Sequence, residues 1–246
     1  MINPSEVVAL LKATFGGFFI STMDQMNLAT SERAQLATLL LEKGPNFPTL
    51  CGDWNTQELA AHLLIRESRP WIAAGMVLPG GNRIVADAMG KITQQPFEHV
   101  VAQWMKGPKW GYLGRYLDSV ANRIEHFVHH EDVRRGETTV GQWQNLDLLP
   151  CNAKPRVLSE RHSAELYDAM RWVAPLMLRR SACPVVIEPI GFPRLVVADT
   201  GVVSTRGDCV VHVRGDIGEV VLWILGRNQV DLFVDGPTHL LKKSRL

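Results

Sequence analysis

Residues 124 to 135 read IEHFVHHEDVRR, which sets three histidines and three carboxylates into one short stretch. Imidazole nitrogens and carboxylate oxygens are the ligands that borderline divalent cations prefer. On a helix, residues four apart point the same way, so either Glu125 with His129 or His126 with His130 is placed to grip one ion. The two pairs face about 100° apart, and only one can look into a helical core. An apolar stripe through Leu117, Val120, Ile124 and Val128 brings Glu125 and His129 to its edge and predicts greater exposure for His126 and His130.

A site between helices needs a ligand from a second one. His62 stands among Leu59, Ala60, Ala61, Leu63 and Leu64, and an imidazole in such company needs a partner. On the residues alone it reads as a hydrogen-bonded core histidine first and as the missing ligand second. Two histidines and one glutamate would leave a tetrahedral ion with an open position, the arrangement of catalytic sites. Such an ion acidifies a bound water or thiol and polarises a carbonyl. Glu131, Asp132, Glu58 and Glu67 are candidates to orient the imidazoles, or else belong to solvated helix faces.

The elements that must position these groups are mostly helical in the first half. SERAQLATLLLEKG (31 to 44) has a capping serine and a terminal glycine; NTQELAAHLLIRES follows a proline-bearing loop, with Asn55 or Thr56 as cap. The cluster LPGGN closes that region, and PFEHVVAQWMKG (96 to 107) and the segment 112 to 135 supply the third and fourth helices. Four helices joined by loops predict a bundle. Beyond about residue 136 the pattern changes. SERHSAELYDAMRWVAPLMLRR is helical with Pro175 as a kink, and the runs PVVIEP, RLVVAD, CVVHVRG and VDLFVDG read as strands around a helical IGEVVLWILGR. The predicted class is α+β, with an N-terminal extension over 1–30, a helical domain over 31–138 and a small α+β domain over 139–246.

The 246 residues, 46% of them hydrophobic, suffice for packed cores, and 26 basic against 25 acidic residues give no electrostatic footprint for nucleic acid or an anionic membrane. Small-molecule partners are expected instead. Four separated cysteines form no C-x-x-C pair, which predicts reduced thiols and a cytoplasmic setting. VVALLKATFGGFFI (7 to 20) lacks the flanks of a signal peptide and is too short to span a bilayer. It reads as a short helix or an ill-ordered extension, and Met23 and Met26 raise the hypothesis of a later translational start.

LCGDWNTQELAAHLLIRESRP (50 to 70), together with IEHFVHHEDVRR, resembles the DinB-like, mycothiol-dependent maleylpyruvate isomerase superfamily, and most closely an uncharacterised group of metal-binding proteins within it. The resemblance spans roughly residues 31 to 236. It implies a four-helix bundle binding a divalent metal, typically zinc, through a histidine of the second helix and an E-x-x-x-H pair of the fourth. The matching positions are His62, Glu125 and His129. The C-terminal half looks like the domain that follows that bundle in the isomerase, where an arginine helps bind a carboxylate substrate. Arg227, in EVVLWILGR, is the candidate counterpart, its alternative role being a helix C-terminal cap.

The resemblance therefore implies a metal- and thiol-dependent transferase or isomerase acting on a small electrophile. Mycothiol would be the low-molecular-weight thiol, Arg227 or Arg214 would bind an anionic part of the substrate, and the protein would be a monomer or homodimer. The alternatives are a metal-dependent hydrolase with Glu131, Asp132 or His130 as general base, and a non-catalytic metal-dependent binding or stress protein. Cys51 reads as a packing cysteine, because no cation adjoins it in sequence, and Trp54 as a structural wedge. His99, His162, His212 and His239 are assigned no role.

Overall fold

The computed structural model describes residues 25–68, 82–107, 112–136, 153–199 and 209–244. The apolar run at 7 to 20 lies outside them, as do the side chains of Leu117 and Val120. The chain divides into two compact units, Met1–Gln142 and Trp143–Leu246.

Helix α1 (Leu28–Lys43) starts three residues before Ser31. Its cap is Asn27, whose side chain accepts a 2.9 Å hydrogen bond from the Thr30 N–H, while Ser31 is buried in the first turn. It stops at Gly44, which takes φ 75°, a conformation that L side chains disfavour, and returns its N–H to the Leu40 carbonyl. Helix α2 (Thr56–Ser68) opens with a reciprocal cap: the Glu58 N–H donates to Asn55 Oδ1 at 3.0 Å, and the Asn55 N–H donates to Glu58 Oε2 at 2.9 Å. Glu58 is thereby committed to the helix end rather than to a metal ligand.

Helix α3 (Asn82–Thr93) was not expected. It begins directly after the LPGGN cluster and buries Ala88 and Ile92 with Val85 and Met89 half-buried beside them, an i, i+3, i+4 apolar stripe that was legible in the sequence and went unread. Helix α4 (Phe97–Met105) and the 23-residue α5 (Tyr112–Arg134) fall where the sequence predicts them. The first unit thus holds five helices among the described residues where four were expected. Helix α1 packs along α5 and against α4, and α2 packs on α3 and α4. Leu36 and Leu40 of α1, Leu59 and Leu63 of α2, Val101 and Trp104 of α4 and Val133 of α5 form one continuous core.

In the second unit, α6 (Glu160–Leu178) is capped by Ser159, which accepts from the His162 N–H, and runs through Pro175. Strands β1 (Val185–Pro189), β2 (Leu195–Val197), β3 (Val211–Gly215) and β4 (Phe233–Asp235) form a sheet of order β2-β1-β3-β4. The central pair β1/β3 is parallel and both outer pairs are antiparallel. Helix α7 (Ile217–Ile224) follows β3 and packs with α6. All four strands coincide with β-rich runs of the sequence, and the class is α+β, as expected.

The loop between α1 and α2 is tied to the end of α5. The Leu50 N–H donates to the Asp132 carbonyl at 3.0 Å, and Thr49 closes the loop on the Trp54 carbonyl through both its N–H and its hydroxyl. Gly136, just past α5, lies so close to this loop that a Cβ would stand 1.9 Å from the Pro48 carbonyl oxygen. Gly136→Ala is therefore expected to cost about 1–3 kcal/mol by overpacking against backbone. Gly90→Ala, where a Cβ meets open space within α3, is expected to gain about 0.5–1 kcal/mol. Chemical denaturation of both variants beside the parent checks the pair.

Candidate metal centre

Helix α2 presents His62 and helix α5 presents Glu125 and His129 to a common point. Glu125 Oε1 lies 3.5 Å from His62 Nε2 and 3.5 Å from His129 Nε2. Two donors about 2.0–2.1 Å from a tetrahedral ion stand roughly 3.4 Å apart, so this spacing is that of a ligand set. It is too long for a good N–H···O hydrogen bond. The two imidazoles meet edge to face with ring centroids 5.3 Å apart, and these three residues form one of two potential metal-ligating groups among the described residues.

His62 tests the fit. It is 8% exposed, and neither of its ring nitrogens has a hydrogen bond among the described residues. A buried imidazole left so is costly, and a cation between it and Glu125 would remove the cost. The indole of Trp54 lies against it, with centroids 5.1 Å apart, so the predicted wedge sits on a ligand candidate.

The opposite edge of His129 is held. Its Nδ1–H donates to Asp132 Oδ2 at 2.9 Å, which leaves Nε2 as the nitrogen that faces Glu125 and can give a lone pair once its proton is displaced. Asp132 is the one orienting carboxylate, of the four considered, that serves this ring. Glu131 is taken by Arg134 and Arg135, with contacts of 2.6 and 2.7 Å. Glu67 binds His126 Nε2 at 2.8 Å, the Trp104 indole N–H at 2.8 Å and Arg33 at 2.6 Å.

His126 and His130 are buried, contrary to the exposure expected of them. Helix α1 covers that face of α5: His126 Nδ1 meets the Ala29 carbonyl at 2.8 Å, and His130 Nδ1 meets Glu32 Oε2 at 2.8 Å. Periodicity assumed one wet face on a helix that is packed on both. Glu125 is the more open residue, its side chain 22% exposed.

Sequence reasoning missed two neighbours. Arg66, one turn beyond His62, reaches Glu125 Oε1 at 3.2 Å and also donates to Asn122 Oδ1; its i+4 spacing from His62 was a usable signal. Half-buried Cys51 has its Sγ 3.4 Å from His129 Nδ1 and 2.9 Å from Asp132 Oδ2. The absence of a cation beside it in sequence was no guide, because the fold brings an imidazole from 78 residues away.

Arg227 lies in the second unit, half-buried, with Nη1 donating to the Leu225 carbonyl at 2.9 Å. That bond satisfies an end carbonyl of α7, the capping role considered for it. Arg214 is exposed on β3.

The titratable groups of the centre differ sharply. Burial lowers the pKa of His62, and the opposing pull of Glu125 only partly restores it. Burial works against the cation at His129 too, but Cys51, Asp132 and Glu125 outweigh it and hold the ring well above the usual imidazole range. Glu125, against the effect of burial, is held well below the carboxylate range by His129, His62 and Arg66.

The chain matches no family model and no curated protein. Among solved structures it is similar to the crystal structure of the mycothiol-dependent maleylpyruvate isomerase, at 14% sequence identity, over 89% of this chain and 94% of that one, with a TM-score of 0.49.

Two pH effects follow. A cation at His129 Nε2 must displace a proton that the metal-free ring still holds near neutrality, so metal affinity rises with pH, about tenfold per unit, until the pH passes the raised pKa. Calorimetry in two buffers of different ionisation enthalpy should show about one proton released per ion. At Glu67, burial alone would raise the pKa, but His126 and Arg33 depress it below its usual 4.5. Its stabilising contribution is complete above that value and is lost as the pH falls through the depressed one. Acid unfolding of Glu67→Gln should lack this component while starting from lower stability at neutral pH.

Proposed function

We propose that this chain binds one divalent metal ion, probe metal Zn2+, through His62, Glu125 and His129. We further propose that it uses the ion in a thiol-dependent transfer or isomerisation of a small electrophile. The observation that carries the reading is the buried, unpartnered imidazole of His62 set at ligand spacing from a carboxylate whose second neighbour is an oriented imidazole. The motifs resembling the DinB-like superfamily are additional support, and they favour its four-helix arrangement within 31–138, with mycothiol as the thiol and a cytoplasmic monomer or homodimer as the working form.

When bound, the ion would lower the pKa of a thiol and so raise the thiolate fraction at neutral pH. The chain's own residues do the rest. Asp132 keeps the His129 proton on Nδ1 so that Nε2 is a donor. Arg66 restrains Glu125 through its ion pair. Trp54 covers the His62 ring, limiting water there. Arg227, and Arg214 as the second choice, would bind an anionic group of the electrophile.

The hydrolytic reading has less support. Its candidate bases are engaged elsewhere: Glu131 with two arginines, His130 with Glu32, and Asp132 with the Nδ1 edge of His129, away from the ligand side.

Metal analysis of purified protein is the test. The parent is expected to hold about one ion per chain, and His62→Ala and Glu125→Ala to lose it while remaining folded. Consumption of an electrophile should require both thiol and metal, and Arg227→Met should raise KM for an anionic electrophile by about tenfold with metal content unchanged. A parent that stays empty after zinc supplementation, or variants that keep their ion, would overturn the ligand set. Full metal loading with no turnover of any electrophile–thiol pair would favour the binding-protein reading.

A further inference from the structure

The second potential metal-ligating group among the described residues is Cys51, His129 and Asp132. Its donors are of three kinds, thiol, imidazole and carboxylate. Sγ–Nδ1, Nδ1–Oδ2 and Sγ–Oδ2 separations are 3.4, 2.9 and 2.9 Å. Two elements fix them. The Cys51 N–H is bound to Thr49 Oγ1 at 3.1 Å, and the Leu50 N–H to the Asp132 carbonyl at 3.0 Å. Asp132 is fully buried, whereas Cys51 is half-buried. On the other side of the shared ring stands His62, nine-tenths buried and with both nitrogens unpartnered.

We propose that Cys51, His129 Nδ1 and Asp132 form a second metal site, selective for thiophilic d10 cations such as Cd2+ or Cu+, and mutually exclusive with the His62–Glu125–His129 site. Thiolate is the soft ligand that the first site lacks, and ligand softness governs which cation each set prefers. The three donor separations allow an ion to lie about 2.0–2.3 Å from each, slightly out of their plane, once the thiol and ring protons have left to solvent. Exclusivity follows from the chemistry of the ring. A neutral imidazole has one N–H and one lone pair, so His129 can give Nε2 to one ion or Nδ1 to the other. A thiophilic ion taken at Nδ1 withdraws a ligand from the first site and turns the pocket off. The site itself stands on its own donors, and only its exclusivity rests on the ligand role proposed above for His129.

Titration of the metal-free full chain with Cd2+, followed by the sulfur-to-metal charge-transfer absorption, tests it. The parent should show the band at one thiolate per chain. Cys51→Ser and Cys51→Ala should abolish it, Asp132→Asn should weaken binding at least tenfold, and His62→Ala should retain it. Added to zinc-loaded protein, Cd2+ should release zinc and leave one ion per chain. No band in the parent, or a band surviving both Cys51 substitutions and thus arising from another cysteine, overturns the site. Two ions bound together overturn the exclusivity. A Cys51-dependent band in a protein that never binds zinc would leave this site standing and remove only the function proposed above.

Discussion

The C-terminal turns of α5 and Arg135 just beyond them bury His126, His129, His130, Glu131, Asp132 and Arg135 together, and the helices around them are arranged by the need to satisfy that charge. An isolated buried ion or imidazole is costly enough that each must be met by a partner from elsewhere in the chain. Helix α1 supplies Glu32 and the Ala29 carbonyl, α2 supplies Glu67 and Arg66, and the loop before α2 supplies Cys51. Apolar packing brings these elements together; the polar pairs allow only one rotation of α5 about its axis. Truncating one partner would leave the other charge buried and unmet, which is why such networks define geometry more than they add net stability.

His62 breaks this pattern. Every other buried titratable group among the described residues around α5 has a neighbour at hydrogen-bonding distance, and the buried imidazole there without such a bond faces a carboxylate at the spacing of metal ligands. His129 shows the complementary asymmetry, its Nδ1 edge occupied and its Nε2 edge turned toward Glu125. The two rings therefore differ in proton affinity as well as in position: burial lowers it at His62, and Cys51, Asp132 and Glu125 raise it at His129.

Much of this was legible in the sequence where the signal is local. The β-runs and the helical IGEVVLWILGR of the second unit carry period-2 and period-3.6 patterns over short spans, and each element appears where the pattern lies. The pairing of Glu125 with His129 follows from i,i+4 geometry, and the nomination of His62 from an imidazole set in an apolar run. Helix α3 carries a local stripe at 84, 85, 88, 89 and 92 that was overlooked beside the Gly-Pro cluster before it. The other failures were non-local: the burial of His126 and His130 depends on α1 lying across α5, and Cys51 meets His129 only because the Pro48–Asn55 turn folds back onto the helix end. Ser31 resembles a cap by type, but Asn27 wins because the apolar Leu28 and Ala29 extend the helix into the core.

A single oxygen, Glu125 Oε1, is approached by His62, His129 and the guanidinium of Arg66. The arginine and the two imidazoles together surround that carboxylate, so its charge is met by groups of both α2 and α5. Arg66 holds Asn122 of α5 at the same time, so one guanidinium ties α2 to two successive turns of α5. The guanidinium acts as a clasp, and the orientation of Glu125 toward the two imidazoles is held by charges that belong to the chain itself.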